Sequence, residues 1–234
     1  MPVPLTVSSP SHGDPELPSV LTYFAERRAA GYIGIVLPVV VWLFDRITMS
    51  CVPSSISASY YTKSGDFFVG ALCAVGVFLI CSIGYKEDKW WSILAGVLAV
   101  VVAFCPTNVD GACKADRGSG PTWTPNIHGV AACALFLVFT YFCLRLFTRT
   151  NTAGPGKTRQ PLRALKGAKK HRNIVYLVCG WIMLAAIIVF ASFMAANKLW
   201  QVEEPRYLVF GVEWVCLWAF GFAWLVKGQQ LFKD

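Results

Sequence analysis

Long apolar runs, separated by short clusters of charged residues, are the dominant pattern along this chain. A helix that crosses a bilayer needs about 20 mostly apolar residues. Six runs of about that length are present, at residues 31–49, 66–85, 90–106, 127–147, 174–195 and 207–226. The pattern predicts an all-α fold, an integral membrane bundle of six transmembrane helices that occupies residues 30–228.

The segments outside these runs are polar. Residues 1–29 begin with a stretch rich in proline and serine and are interpreted as a disordered N-terminal tail. Residues 149–172 form a basic loop that contains no acidic residue, and residues 229–234 form a short C-terminal tail. None of these segments is long enough to be a separate soluble domain.

Small residues recur in the third run at the spacing of one helical face. Alanines stand four residues apart at Ala95, Ala99 and Ala103. Gly96 lies beside them, and helices in lipid use such small residues to approach each other closely. Because only a short polar link separates the second and third runs, we expect a tight antiparallel hairpin, with Gly70 and Ala74 at the seam.

The composition agrees with a membrane protein. Of the 234 residues, 56% are hydrophobic and 15% are charged, whereas a soluble domain has roughly 45–50% apolar and about 25% charged residues. A soluble core of this size could not bury that much apolar surface. The composition therefore favours a bilayer over a soluble globular domain.

Lysine and arginine predict the orientation, because basic residues in short loops stay on the cytoplasmic side of a membrane. With six spans, most basic residues fall on the side of both termini, nine of them between residues 145 and 172. Both termini are therefore expected in the cytoplasm. The net charge of +8 belongs mostly to the basic loop, so we expect membrane lipids with anionic head groups as partners there, and no nucleic acid.

The membrane is expected to be the cell membrane, and the chain a multi-pass protein. The sequence has no Asn-x-Ser/Thr acceptor site for glycosylation. This fits the inner membrane of a bacterium.

Three of the nine cysteines lie on the predicted non-cytoplasmic side, where thiols can oxidise. A bridge between Cys105 and Cys113 would close a short loop, and Cys51 is a competing partner. The other six lie inside the runs, where a thiol usually acts as a small hydrophobe. No cysteine pair has metal-ligand spacing with a histidine nearby, so neither a metal nor another cofactor is expected.

Ionisable residues in or at the edge of the apolar runs are candidate functional groups, because charge is costly inside a bilayer. They lie toward the non-cytoplasmic side, at Asp45, Arg46, Asp66, His128 and Glu213. An Asp at a helix start also caps the helix, which gives Asp66 a structural alternative. Tyr60, in the loop on the same side, joins Asp66, His128 and Glu213 as a candidate ligand-binding residue.

Glu213 is the hardest of these residues to explain by structure alone. It lies about 9 Å from the start of the last run, at 1.5 Å per residue. Its neighbours on the same helix are apolar, so its partner should come from another helix, and His128 enters from the same side. The alternative is a purely structural hydrogen-bonding role for Glu213.

Three short stretches are similar to motifs of known membrane proteins. Residues 53–61, PSSISASYY, resemble the outer-loop signature of six-span eukaryotic proteins of the DRAM and GPI-anchor-remodelling type. GDFFVG at 65–70 and IHGVAA at 127–132 resemble stretches of uncharacterised bacterial six-span relatives. The resemblance implies a role in lipid handling or membrane regulation, with no catalytic residue to carry over. It adds Ser57 to the candidates and supports His128.

Three functions are compatible with this pattern. The first is binding or handling of lipid, or of another amphipathic ligand, in a polar cavity around Asp66, His128 and Glu213. The second is an intramembrane lipid-modifying enzyme that uses His128 and acidic residues, and the third is a small proton- or ion-coupled transporter. No nucleophile elbow, zinc-spaced histidine pair or redox pair is present, so catalytic residues are not assigned. The ligand and the oligomeric state stay open.

Overall fold

Six α-helices make up most of the protein in a computed structural model, which describes residues 17–81, 86–109, 113, 121–151, 157–159, 162–203 and 205–231. The helices are α1 (Leu17–Met49), α2 (Gly65–Cys81), α3 (Lys86–Phe104), α4 (Thr124–Tyr141), α5 (Gly167–Trp200) and α6 (Leu208–Lys227). The shorter elements are 3₁₀ turns at Ser57–Tyr61 and Leu162–Ala164, a π-helical turn at Phe142–Leu146, and antiparallel strands β1 (Arg149–Asn151) and β2 (Lys157–Arg159).

The predicted all-α class is confirmed, since the two strands form only a short ribbon within the basic loop. Four helices are long and apolar enough to cross a membrane, namely Phe24–Met49, Thr124–Leu146, Gly167–Trp200 and Leu208–Lys227. The remaining two, Gly65–Cys81 and Lys89–Phe104, are apolar but shorter. The structure therefore supports a helical membrane protein, with four helices that meet the requirement for a span.

Two predicted boundaries are wrong. Helix α1 begins at Leu17, so residues 17–29 are helical and not part of a disordered tail. Pro18 suits the first turn of a helix, where its missing N–H costs no hydrogen bond, and Arg27 is buried against the Phe147 ring. Helix α5 begins at Gly167, inside the predicted basic loop, because lysine and arginine are good helix formers. Residues 1–16 and 232–234 lie outside the described part of the chain.

Helices α2 and α3 form the expected close pair. A Cβ added at Gly96 would lie 2.6 Å from the Gly76 carbonyl oxygen, and one added at Gly76 would lie 3.0 Å from the Gly96 carbonyl oxygen. Ala95, Ala99 and Ala103 are fully buried, each with 0% exposure. The partner glycine is Gly76 and not Gly70, at which an added Cβ would meet nothing within 4 Å.

A second glycine contact joins the first and last helices. A Cβ at Gly31 on α1 would lie 2.9 Å from the Gly221 carbonyl oxygen on α6, and one at Gly221 would lie 2.7 Å from the Gly31 carbonyl oxygen. Helix α5 is held less tightly. Its buried residues all lie in its first half, at Asn173, Tyr176, Cys179, Gly180 and Met183.

One disulfide bond marks one end of the bundle. It joins Cys51, just after α1, to Cys113, with Cα atoms 6.0 Å apart, within the range that a bridge requires. Of the pairings considered, Cys105–Cys113 is thus wrong and the competing partner Cys51 forms the bond, while Cys105 is a free thiol just after α3. Closeness in sequence did not decide the pairing, because the fold brings the end of α1 to Cys113. We call this the disulfide end, and the opposite end, with Arg145 and the described residues of the basic loop, the basic end.

The α2–α3 contact predicts the effect of a single added methyl group. Gly96→Ala is expected to lower the free energy of unfolding by about 1–3 kcal/mol, because the new carbon would press on backbone of α2. The measurement is thermal unfolding of the purified protein in detergent. Gly70→Ala, on the open face of α2, is the matched control and should cause no loss; equal losses in both variants would contradict the proposed close contact.

Candidate functional site

Two acidic side chains, Asp45, which is buried, and Glu213, which is half-buried, hold the loop between α1 and α2 at the disulfide end. The first is Asp45 on α1, which has 0% exposure. It accepts hydrogen bonds from the Thr62 hydroxyl at 2.7 Å, the Ser64 hydroxyl at 2.8 Å and the Ser64 backbone N–H at 3.2 Å. A buried carboxylate with several donors is compensated for its desolvation. Asp45 therefore fixes the loop where it enters α2.

The second acidic side chain is Glu213 on α6. It accepts hydrogen bonds from the backbone N–H of Ile56 at 2.5 Å, from that of Ser57 at 3.2 Å, and from the Ser57 hydroxyl at 2.8 Å. These donors belong to the α1–α2 loop and not to His128, so the expected His128–Glu213 pair is wrong. These two N–H groups stand at the start of the 3₁₀ turn Ser57–Tyr61, where no carbonyl oxygen of the turn can accept from them, and Glu213 supplies the acceptor.

His128 lies near the start of α4 and is buried, with 4% exposure. Its Nδ1 lies 2.7 Å from the Cys105 carbonyl oxygen, which follows the last turn of α3 and has no helical donor. A carbonyl oxygen only accepts, so Nδ1 carries the proton. In the neutral imidazole Nε2 is then an acceptor, and among the described residues it has no hydrogen-bond partner.

Ser57, His128 and Glu213 line one cavity inside the bundle. Its volume is about 40 Å³. The rest of its wall is apolar and comes from α1, α2, α3, α4, α6 and Ile56 of the loop; it includes Leu37, Leu72, Val75, Leu135, Phe139 and Phe220. The cavity thus joins a polar region near the disulfide end to an apolar interior, and helix α5 contributes no residue to its wall.

The other two candidate residues lie outside this cavity. Asp66 is exposed in the first turn of α2. Tyr60 is half-buried and packs edge-on against Tyr61, with ring centroids 5.1 Å apart, while the Tyr61 hydroxyl donates to the Thr107 carbonyl oxygen. The structure therefore brings together Ser57, His128 and Glu213 and leaves Asp66 and Tyr60 apart from them.

The arrangement suits binding through hydrogen bonds. Among the described residues, no group of three or more His, Cys, Asp or Glu side chains could hold a metal ion. The Ser57 hydroxyl donates to Glu213, and His128 presents an acceptor. The groups on the cavity wall can thus orient the polar end of a molecule whose remainder contacts apolar side chains.

Comparison with known proteins adds no relative: no protein-family model, curated protein or solved structure matches this chain.

The contacts of Glu213 predict different outcomes for two substitutions. Glu213→Gln keeps an amide oxygen for the Ile56 and Ser57 N–H groups, so the variant should accumulate as folded protein. Glu213→Leu removes every acceptor and leaves two backbone N–H groups unpaired, at a cost of about 1–3 kcal/mol each. The measurement is the yield and thermal midpoint of both purified variants. If Glu213→Gln also fails to accumulate, the negative charge itself is structural and Glu213 is not a ligand-binding group.

Proposed function

We propose that this chain is an integral membrane protein that binds a lipid, or another amphipathic molecule, with the polar end of the ligand beside His128 and Glu213. One observation carries the proposal. An apolar cavity within the helical bundle has three polar lining residues, Ser57, His128 and Glu213, contributed by a loop and two separate helices. Wall chemistry of this kind matches a molecule with a small polar end and an apolar body.

The size of the cavity limits what it encloses. A volume of about 40 Å³ is far below the roughly 300–1,000 Å³ of pockets that enclose whole small molecules. The ligand's apolar chain therefore extends out of the cavity into the bilayer. We propose that the ligand's chain leaves the cavity between α4 and α6. Helix α5 packs loosely there, because none of its described side chains beyond Met183 is buried. The wall residues Ala132, Phe136 and Leu217 are themselves only half-buried.

The proposed topology has six spans in the cell membrane, with both termini in the cytoplasm. The short helices α2 and α3 support it, because they pack as a close pair alongside α1 and α4 in the same bundle. Two further features support the orientation. The disulfide bond lies at one end, as expected outside the cytoplasm, and the basic loop lies at the other.

Labelling with a membrane-impermeant maleimide tests this topology. Cysteines replace three exposed residues, in the variants Lys89→Cys, Asn108→Cys and Arg163→Cys. In sealed vesicles, Asn108→Cys should be labelled from the non-cytoplasmic side, and the other two only from the cytoplasmic side. Peptide mapping separates the new thiols from the native ones. Labelling of Lys89→Cys and Asn108→Cys from the same side would show that α3 does not cross.

Filling the cavity tests the binding function. Ala132→Leu places three extra carbon atoms in the cavity wall on α4, and the amount of lipid that remains bound to the purified protein should fall several-fold. Native mass spectrometry of protein released from nanodiscs measures the bound lipid. Ala134→Leu is the matched control, since Ala134 lies on the same helix but does not line the cavity.

The control separates filling of the cavity from a general disturbance of α4. Equal lipid retention by both variants and the unchanged protein would contradict the proposal. A thermal midpoint that falls only in Ala132→Leu would show that the substitution disturbs folding, and the smaller Ala132→Val then replaces it.

A further inference from the structure

The polar groups on the cavity wall that already have hydrogen-bond partners limit the chemistry of the ligand's polar end. This inference rests on the proposed binding function. His128 is the group with unused capacity. Its Nδ1–H is taken by the Cys105 carbonyl oxygen at 2.7 Å, and Nε2 is buried with no partner among the described residues. A buried polar atom without a partner loses the hydrogen bonds it would make in water. Its free capacity is that of an acceptor.

Glu213 is also an acceptor. Its oxygens receive the Ile56 N–H, the Ser57 N–H and the Ser57 hydroxyl. The Ser57 proton is directed to Glu213, so Ser57 has no proton left to donate into the cavity. A ligand whose polar end has only acceptor oxygens, such as a phosphate or carboxylate, would bring them against Nε2 of His128 with no hydrogen between the two acceptors, which is unfavourable in apolar surroundings.

We propose that the ligand's polar end is a hydrogen-bond donor, a hydroxyl or an amine on a single long chain, that donates to Nε2 of His128. The cavity volume supports a small end of this kind. At about 10–15 Å³ per water-sized group, about 40 Å³ holds roughly three such groups. That is enough for a hydroxymethyl or aminomethyl end, and too little for a phosphate ester that bears a sugar or choline.

Four compounds with the same sixteen-carbon chain test the proposal. These are 1-hexadecanol, hexadecylamine, the methyl ether 1-methoxyhexadecane and hexadecanoate. Their binding to the purified full-length protein in nanodiscs is measured by displacement of a radiolabelled 1-hexadecanol, with empty nanodiscs as the background. The alcohol or the amine should bind about tenfold more tightly than the ether, which can only accept, and than the anionic hexadecanoate.

The variant His128→Asn assigns the preference to Nε2. The Asn amide N–H₂ can reach the place of Nδ1–H and keep the hydrogen bond to Cys105, whereas the acceptor at Nε2 is lost. The tenfold preference of the alcohol over the ether should disappear, while the ether binds as before. His128→Gln, whose longer side chain can place an acceptor near Nε2, should retain part of the preference and provides a second measurement if His128→Asn does not fold.

The outcomes separate this inference from the binding function. If none of the four compounds binds above the background, the binding function itself fails. If all four bind with equal affinity, the function stands and the donor inference is overturned. Tightest binding by hexadecanoate would also overturn it, since Nε2 would then be acting as a donor.

Discussion

The structure depends on two acidic side chains that accept hydrogen bonds from one loop. Asp45 on α1 and Glu213 on α6 hold the two ends of residues 56–64, which include a 3₁₀ turn with buried residues. Backbone groups that are not paired within a helix must find partners where water is scarce, and an unpaired group costs several kcal/mol in lipid. The loop donors thus offset the cost of placing two acidic side chains in a membrane, and the acidic side chains give the loop N–H groups the acceptors that they need.

The position of the cavity is set by close packing in the rest of the bundle. Glycines bring α2 against α3 and α1 against α6, so those helix pairs have no room between them. Toward the basic end, the interior is filled by aromatic rings, with Phe139 stacked on Phe220 at 4.1 Å and Trp224 edge-on to Phe139 at 5.4 Å. The space that remains lies nearer the disulfide end, where Ser57, His128 and Glu213 meet. A cavity bounded by packed rings on one side suits a bound molecule better than a path through the protein.

The sequence predicted the helices and missed contacts that depend on the loop backbone. Apolar runs of 17–22 residues identify helices reliably, because the bilayer leaves few alternatives. Glu213 was found because its charge stands in an apolar run. Its true partners, two backbone N–H groups and one hydroxyl, have no signature in side-chain chemistry, so His128 was the natural but wrong expectation. Asp45 was noted as a charged residue beside Arg46. Its role, accepting hydrogen bonds from Thr62 and Ser64, could not be predicted because it depends on the path of the loop after Cys51.

The contacts of Ser57, Glu213 and His128 also bear on whether the site binds a ligand or catalyses a reaction. A serine nucleophile needs a base that takes its proton, usually a histidine within hydrogen-bond reach. Here the Ser57 hydroxyl is directed to Glu213, whose lone pairs also receive two backbone N–H groups. His128 has its proton on the side of Cys105, and its Nε2 is a buried acceptor with no partner among the described residues. The serine, the carboxylate and the imidazole therefore do not form a relay; the first two stabilise the loop, and the unpartnered Nε2 of the third is the group on which the proposed binding function rests.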